Sequence, residues 1–429
     1  MYKLHKMLTS KAGLKCVGRI FSPRKLVGKN IRKLSNNKPA VILGIETSCD
    51  DTGCAVVDSN GAILGEALHS QQSVHLDNGG IIPPLAQELH RQKITKVVEK
   101  ALLSANLRLT NVDAIAATVK PGLVMSLLIG TNFGKYLSRV GNKPFIPIHH
   151  MEAHALTARM VENIDYPFLV LLISGGHCLL AIAQSVDKFY LLGSTIDDAP
   201  GEAFDKTARR LKLRNIPEFS ELSGGAAVEL AASRATDPEQ FKFEVPMVHW
   251  EDCNFSSSGL KNAILKHTLR EEKKHGIIGD ELVPDIYNLC AGFQLAMTRH
   301  LCHRTQRAME FIELKNLIPE KNRTLVVSGG AACNNFIANC LETVSSQMGY
   351  RFVRPPPKLC TDNGIMIAWN GVERWLADRG VLRDSEEIEN VQVVARTEFG
   401  EDWREKVANA HVRCQWVKLK LPYPKTRKS

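Results

Sequence analysis

The chain has 429 residues, 44% of them apolar, a formal net charge of +10 and eleven cysteines. That length and apolar content suit two domains of ordinary size, and no apolar run reaches the roughly eighteen residues of a membrane-spanning helix, which excludes membrane insertion. The cysteines are scattered with no Cys-x-x-Cys pair, which argues against a zinc ribbon or a disulfide framework and for a reducing compartment.

The charge is concentrated at one end. From Met1 to Lys38 there are eleven Lys or Arg and no Asp or Glu, so subtracting that stretch from +10 leaves −1 for the rest. Basic, acid-free and interspersed with Leu, Ile, Val and Ser, residues 1–38 read as a mitochondrial transit peptide, with a disordered RNA-binding arm as the competing reading.

After the leader, residues 41–46 are an apolar run ending in the polar loop Thr47-Ser48-Cys49-Asp50-Asp51. Residues 53–57 and 62–68 follow, separated by Asp58-Ser59-Asn60-Gly61. Asn-Gly between apolar runs is a hairpin signal, so three consecutive antiparallel strands are expected. A helix over 85–107, a strand over 114–119, a helix after Pro121-Gly122 and a strand over 145–148 complete the first set.

The same order recurs. Strands are expected over 168–173, 177–183 and 189–192, joined by Ser174-Gly175-Gly176 and Val186-Asp187-Lys188, then a helix over 202–211. A polar insertion over 212–280 precedes a helix (285–313), a strand (325–327), a helix from about Asn334, a strand (351–353) and a helix at Asp362. Three antiparallel strands followed by alternating helices and strands is the ribonuclease H-like order. A tandem pair is the actin-like, sugar-kinase-like α/β architecture, with a nucleotide expected in a central interdomain cleft. The domains are expected over 39–148 and 149–375, with 376–429 packing back on the first.

His150 and His154 stand four residues apart at the start of a predicted helix, on one face, so both imidazoles can hold one metal ion. Asp362, in Cys360-Thr361-Asp362-Asn363-Gly364, is the best third ligand. Two histidines and a carboxylate leave coordination positions open, as a working metal requires; iron, zinc and magnesium all fit. Glu152 lies two residues after His150, roughly 200° around the helix, so it points away from that metal and a zinc-protease reading is poor.

Ser174-Gly175-Gly176-His177 and Ser328-Gly329-Gly330-Ala331-Ala332-Cys333-Asn334 offer backbone N–H groups unshielded by side chains, suited to a phosphate or nucleotide. Asp205 and Glu229 are carboxylates able to bind ribose hydroxyls, against a plain reading as solvated helix residues. Asp50 and Asp51 follow the first strand, where actin-like ATPases keep an acid that handles metal or water; Asp is also a common turn former.

Gly44-Ile45-Glu46-Thr47-Ser48-Cys49-Asp50-Asp51-Thr52, Gly79-Gly80-Ile81-Ile82-Pro83, His150-Met151-Glu152-Ala153-His154, Ser174-Gly175-Gly176-His177, Asp205-Lys206, Phe255-Ser256-Ser257-Ser258-Gly259-Leu260-Lys261, Val327-Ser328-Gly329-Gly330 and Cys360-Thr361-Asp362-Asn363 together resemble the tRNA N6-adenosine threonylcarbamoyltransferase family. The resemblance covers about residues 41–375. Lys120-Pro121-Gly122 and Pro83-Pro84 resemble the mitochondrial branch; Ser257 and Asp51 depart from a usual aromatic and a usual glutamate.

The resemblance implies transfer of a threonylcarbamoyl group from threonylcarbamoyl-AMP to N6 of the adenosine 3′ of the anticodon, in mitochondrial tRNAs reading codons that begin with A. It implies one divalent metal on His150, His154 and Asp362. Leu172, Ile173, Ser174, Gly175 and Gly176 would line the acyl-adenylate, Asp205 and Glu229 would hold ribose with Gly225 permitting close approach, and Cys333 and Asn334 would flank adenine. Asp50 would assist deprotonation of the amine. It also implies a matrix enzyme that acts as a homodimer on tRNA and takes its intermediate from a separate synthase. Phosphate contacts are expected from residues 270–274 and from Lys418, Lys420, Lys425, Arg427 and Lys428. The rival functions are an ATP-dependent small-molecule kinase of the same fold and a non-catalytic nucleic-acid scaffold.

Overall fold

The computed structural model of the chain describes residues 38–78 and 80–419. The transit-peptide reading, apart from Lys38, lies outside the described residues, as do Gly79 and the tail residues Lys420, Lys425, Arg427 and Lys428. The chain forms two compact units, the first running to Val161 and resuming over Asp362–Thr397, the second comprising Glu162–Thr361 and the segment from Glu398.

In the first unit, strands β1 (Val41–Glu46), β2 (Asp51–Asp58), β3 (Ile63–Ser70), β4 (Ala114–Lys120) and β5 (Phe145–His149) form one sheet in the order β3-β2-β1-β4-β5. β1, β2 and β3 pair antiparallel, while β4 and β5 run parallel to β1. The hairpin turn is built as its residues dictate: Asp58 Oδ1 accepts the N–H groups of Asn60 and Ala62, both at 2.9 Å, and Gly61 takes φ +83°.

Alternation along β1 divides the labour of the sheet's faces. Val41, Leu43 and Ile45 join a core with helices Pro83–Ser104 and Val124–Gly141. Ile42 and Gly44 meet helix Gly364–Leu376 on the other face. That helix lies on the strands backbone to backbone. A Cβ added at Gly44 would stand 2.2 Å from the Ala368 nitrogen, one at Gly364 2.4 Å from the Cys54 carbonyl carbon, and one at Gly53 2.7 Å from the Gly364 nitrogen. Only glycine allows this approach, and it fixes where the residues just before the helix end up.

The second unit repeats the order in strands β6 (Phe168–Ile173), β7 (Cys178–Ser185), β8 (Lys188–Ser194), β9 (Thr324–Ser328) and β10 (Arg351–Val353), and adds β11 (Glu401–Asp402) beside β8. β6, β7 and β8 are antiparallel; β9 and β10 run parallel to β6. The tandem ribonuclease H-like topology is therefore present in both units. Helix Ile286–Leu314 is buried along most of its length, including Arg304, whose guanidinium reaches the carbonyls of Trp250 and Asp252 at 2.8 Å each.

Three boundaries differ from expectation. Residues 149–161 and 362–397 belong to the first unit, because the helices they carry pack on its sheet. The stretch 212–280 is no polar insertion: it forms helices Gly224–Ser233 and Ser258–His275 and places Phe219, Val228, Phe255 and Ile264 in the core. The C-terminal segment divides, with residues from Glu398 onward joining the second unit through β11 and the buried Val407 and Val412.

Candidate functional site

In the first unit, β5 ends at His149, whose ring Nδ1 accepts the Met151 N–H at 3.2 Å and starts helix His150–Leu156. His150 and His154 sit one turn apart on that helix, with ring centroids 4.7 Å apart and nearly perpendicular. The glycine-pressed helix delivers Asp362 from the far end of the unit's sequence, and its N-cap, Asn363, accepts the Met366 N–H at 2.9 Å. Asp362 Oδ1 lies 3.0 Å from His154 Nε2 and 3.5 Å from His150 Nε2. All three potential ligand atoms fall within 4.8 Å of one another.

Behind His150 stands Glu46, the last residue of an otherwise apolar strand and fully buried. The His150 Nδ1–H donates to Glu46 Oε2 at 3.2 Å, Thr118 Oγ1 donates to the same oxygen at 2.6 Å, and the Ser48 N–H donates to Oε1. A carboxylate that only accepts fixes a proton on Nδ1, so Nε2, which faces Asp362, is the nitrogen that would give up its proton to a metal, the arrangement that supports a metal-binding histidine. Burial alone would lower the pKa of His150, but the charges of Asp362 and Glu46 outweigh it and lift it to about 9. Burial would raise Glu46, yet His150 beside it holds its carboxyl below the usual range. Two carboxylates and two imidazoles gathered this closely call for a positive charge, which a divalent ion provides in place of shared protons. The donor set therefore fits a metal. Glu152 points elsewhere and pairs with Arg374.

Asp50 is half-buried at the turn into β2, where its carbonyl accepts the Gln71 N–H at 3.2 Å. Its neighbour Asp51 has a buried Oδ1 with no hydrogen-bond partner among the described residues. Burial pushes the Asp51 carboxyl up to about 7, and the Ser70 hydroxyl opposes this only in part.

The second unit holds a cavity of about 380 Å³ whose wall includes Gly175, Asp205, Gly225, Glu229, Cys333 and Asn334. Six of the residues singled out in the sequence thus meet at one place. Ser174 and Gly176 belong to the same loop as Gly175 but stand outside the lining, and Leu172 and Ile173 are wholly buried within β6. As interior strand residues at the end of β6 they lead into the loop that reaches the cavity. A Cβ added at Gly175, Gly176, Gly225 or Gly330 would meet no protein atom within 4 Å, so packing does not explain these glycines.

Both cavity carboxylates are tied to helix starts, where N–H groups lack partners of their own. Asp205 accepts the N–H groups of Gly225 and Gly224, while burial drives its pKa upward. Glu229 accepts the Asn335 N–H at 2.7 Å and that of Phe336; here too burial raises the pKa against those bonds. Asn334 is more fully committed than expected. Its Oδ1 caps helix Asn335–Gln347 through the Ile337 N–H at 3.0 Å, and its Nδ2 donates to Gln294 Oε1 at 3.1 Å.

The family model for tRNA N6-adenosine threonylcarbamoyltransferase (TsaD) matches residues 62–369. A relative from Xenopus tropicalis, named mitochondrial tRNA N6-adenosine threonylcarbamoyltransferase, is 48% identical over 381 residues, covering 89% of this chain and 93% of its own. A human relative of the same name is 44% identical over 415 residues, covering 95% of this chain and 99% of its own. Among solved structures, component A of (R)-2-hydroxyglutaryl-CoA dehydratase from Acidaminococcus fermentans covers 79% of this chain and 99% of its own, with a TM-score of 0.44 and 14% identity; it adds nothing to the strand order described above. Identity of this degree to the two named relatives, over nearly their whole length, leaves one assignment: the chain belongs to the tRNA N6-adenosine threonylcarbamoyltransferase family.

Proposed function

We propose that the first unit acts on the carbamoyl end of threonylcarbamoyl-AMP, and that the second holds its nucleotide end. The chain is an acyltransferase that forms N6-threonylcarbamoyladenosine in mitochondrial tRNA, in keeping with its family and the names its relatives carry. The acceptor is the adenosine 3′ of the anticodon in tRNAs reading codons that begin with A. The observation that carries the division of labour is the meeting of His150, His154 and Asp362 in front of the buried, hydrogen-bonded Glu46.

The lone pair of the adenine amine is delocalised into the ring, so the amine attacks poorly and the acyl-phosphate side must be activated. His150, His154 and Asp362 would hold a divalent ion, whether iron, zinc or magnesium, and its charge would polarise the carbamoyl group and offset charge on the departing phosphate. Glu46 keeps the His150 ring oriented and its Nδ1 protonated. The proton leaving N6 goes to the Asp50–Asp51 corner, where the Asp51 pKa of about 7 suits a general base at neutral pH.

In the second unit, Gly175 and Gly330 leave backbone N–H groups open to phosphate, and Gly225, whose own N–H is given to Asp205, leaves space for ribose. An ionised carboxylate has about four acceptor directions. Asp205 and Glu229 each spend two on helix N–H groups, which leaves the others for ribose hydroxyls. Cys333 flanks the base, and Asn334 holds the neighbouring helix start. The target adenosine must leave its stack to react, as single-stranded RNA bases do. Residues 270–274 and Lys418 supply phosphate contacts, the enzyme works as a homodimer, and a separate synthase provides the acyl-adenylate.

The test is mass spectrometry of nucleosides from mitochondrial tRNA after loss of this protein. Disappearance of threonylcarbamoyladenosine is expected. Persistence of the modification at full level overturns the reading.

A further inference from the structure

Two neighbouring cavities of about 580 and 560 Å³ share Lys242, Phe243, Gly259 and Ala263, and so make one open groove between residues 240–250 and helix Ser258–His275, wholly within the second unit. Lys206, Arg210, Lys212, Arg234 and Lys261 of this unit each face a carboxylate. The exposed groove cations Lys242, Lys266 and Arg270 make no ion pair among the described residues, and Glu244 is the single acid among the described lining residues. Lys266 and Arg270 stand one turn apart on one helix face, with the Arg270 Nε–H on the Lys266 carbonyl at 3.3 Å. Like charges at that spacing destabilise a helix, so the fold gains nothing from the pair, whereas an anion laid across both relieves it.

Aromatic rings interleave with these charges. Phe241 and Phe243 flank Lys242, and the ring of His267, which burial keeps neutral, meets Phe241 with centroids 4.8 Å apart. Trp250 is 61% exposed, yet its backbone is pinned from below: the buried Arg304 donates to its carbonyl at 2.8 Å, and Arg307 donates to the same oxygen. Arg304 also reaches the carbonyl of Met247, which is held at φ +52°. A buried guanidinium spent on holding an exposed loop in a costly conformation presents the indole rigidly to solvent. A Cβ at Gly259, in the first turn of the helix, would meet no protein atom within 4 Å, so packing does not require that glycine, whereas close approach of a phosphate does.

We propose that this groove receives a single-stranded stretch of the tRNA substrate, with phosphates against Lys242, Lys266 and Arg270 and an unstacked base on Trp250. Cations alternating with aromatic faces match a strand that presents phosphates and bases together. An acidic peptide would use the charges and leave the rings unmatched. The groove shares its scaffold with the cavity described above. Asp197 accepts the Ser257 N–H at 2.8 Å and the Ser258 hydroxyl at 2.6 Å, and Asp198 pairs with Lys261, just ahead of helix Pro200–Arg210, which carries Asp205.

The experiment titrates the full-length protein with an unmodified transcript of a tRNA reading a codon that begins with A, by fluorescence anisotropy over a salt series, with AMP affinity and oligomeric state measured beside it. Lys242→Ala, Lys266→Ala and Arg270→Ala together are expected to weaken tRNA binding by about tenfold or more and to lower the slope of log affinity against log salt by about two. Trp250→Ala is expected to weaken binding about tenfold with the slope unchanged, and Trp250→Phe to restore most of it. AMP affinity is expected to stay at the wild-type value in all of them. The proposal is overturned if the variants keep wild-type tRNA affinity and slope, as they would if the groove served a protein partner, or if they lose tRNA only by separating a dimer. Should a variant also lose AMP binding, photo-cross-linking of thiouridine-labelled tRNA to the wild-type protein decides: cross-linked peptides from residues 240–270 are expected, and their absence overturns the proposal. The inference rests on tRNA as the substrate, so a wild-type protein that binds no tRNA overturns that reading and the groove with it, while binding that the variants retain overturns the groove alone.

Discussion

The two units share a strand order and part company at the strand ends. In the first, β1 closes on Glu46 and β5 runs into His149-His150, so the ends carry groups suited to cations. In the second, the equivalent β6 opens into Ser174-Gly175-Gly176 and β9 into Gly329-Gly330, so the ends carry bare N–H groups suited to anions. Even their glycines differ in purpose: Gly44, Gly53 and Gly364 are required by neighbouring backbone, whereas a side chain at Gly175, Gly225 or Gly330 would meet no protein atom. The comparison teaches that the topology decides where strands stop, while the one or two residues beyond decide the chemistry.

The sharpest way to break this contrast is to disable one side and read the other. His154→Ala should lower threonylcarbamoyl transfer on the order of a thousandfold, the equivalent of several kcal/mol of charge stabilisation, with AMP affinity unchanged by calorimetry. A parallel fall in AMP affinity would mean the two roles are not separate. Glu46→Gln should weaken metal binding by about 10–100-fold, as loss of a supporting carboxylate does, measured by chelator competition; wild-type affinity would reduce Glu46 to a packing residue.

The glycines give a smaller but cleaner contrast. Gly44→Ala forces a methyl against the Ala368 backbone and should cost about 1–3 kcal/mol or more in denaturant unfolding. Gly225→Ala meets open space inside a helix start, so it should leave stability within about 0.5 kcal/mol while weakening AMP binding. Equal destabilisation by both would erase the distinction.

The mildest effect is on acid and base response, with opposite signs. In the second unit, burial lowers His300 to about 3 and His303 to about 4. The unfolded chain takes up protons there first, so stability contributed by the neutral rings is lost as pH falls below about 6.5. In the first unit, the Asp51 carboxyl at about 7 holds its proton in the fold longer than in the unfolded chain, so its contribution is lost as pH rises from about 4 to 7. Hydrogen exchange resolved by peptide should show helix Ile286–Leu314 loosening as pH drops through that range and β2 tightening. Movement of both in the same direction would contradict the assignment.

Much of this was legible in the sequence because its signals are local. Asn60-Gly61 marks a hairpin, the apolar runs of β1 and β6 mark strands, and His150 and His154 share a helix face whatever surrounds them. What escaped depends on distant partners. Glu46 has no role in the sequence beyond ending an apolar run until Thr118 and His150 close around it, although an acid in that position was the available clue. The Gly224–Ser233 helix hid in a supposed polar insertion because its buried face is largely alanine, which carries little hydrophobic period. Asn334 looked free for a base because a cap is visible only once the helix it starts is known.

Asp362 follows His154 by 208 residues. A ribosome delivers the chain from its beginning, so a nascent polypeptide that has already formed the first five strands still lacks one of the three ligands. An ion held by these three residues would therefore load only after nearly all of the chain has been released, and a polypeptide still threading through a translocation pore would carry no finished site for it.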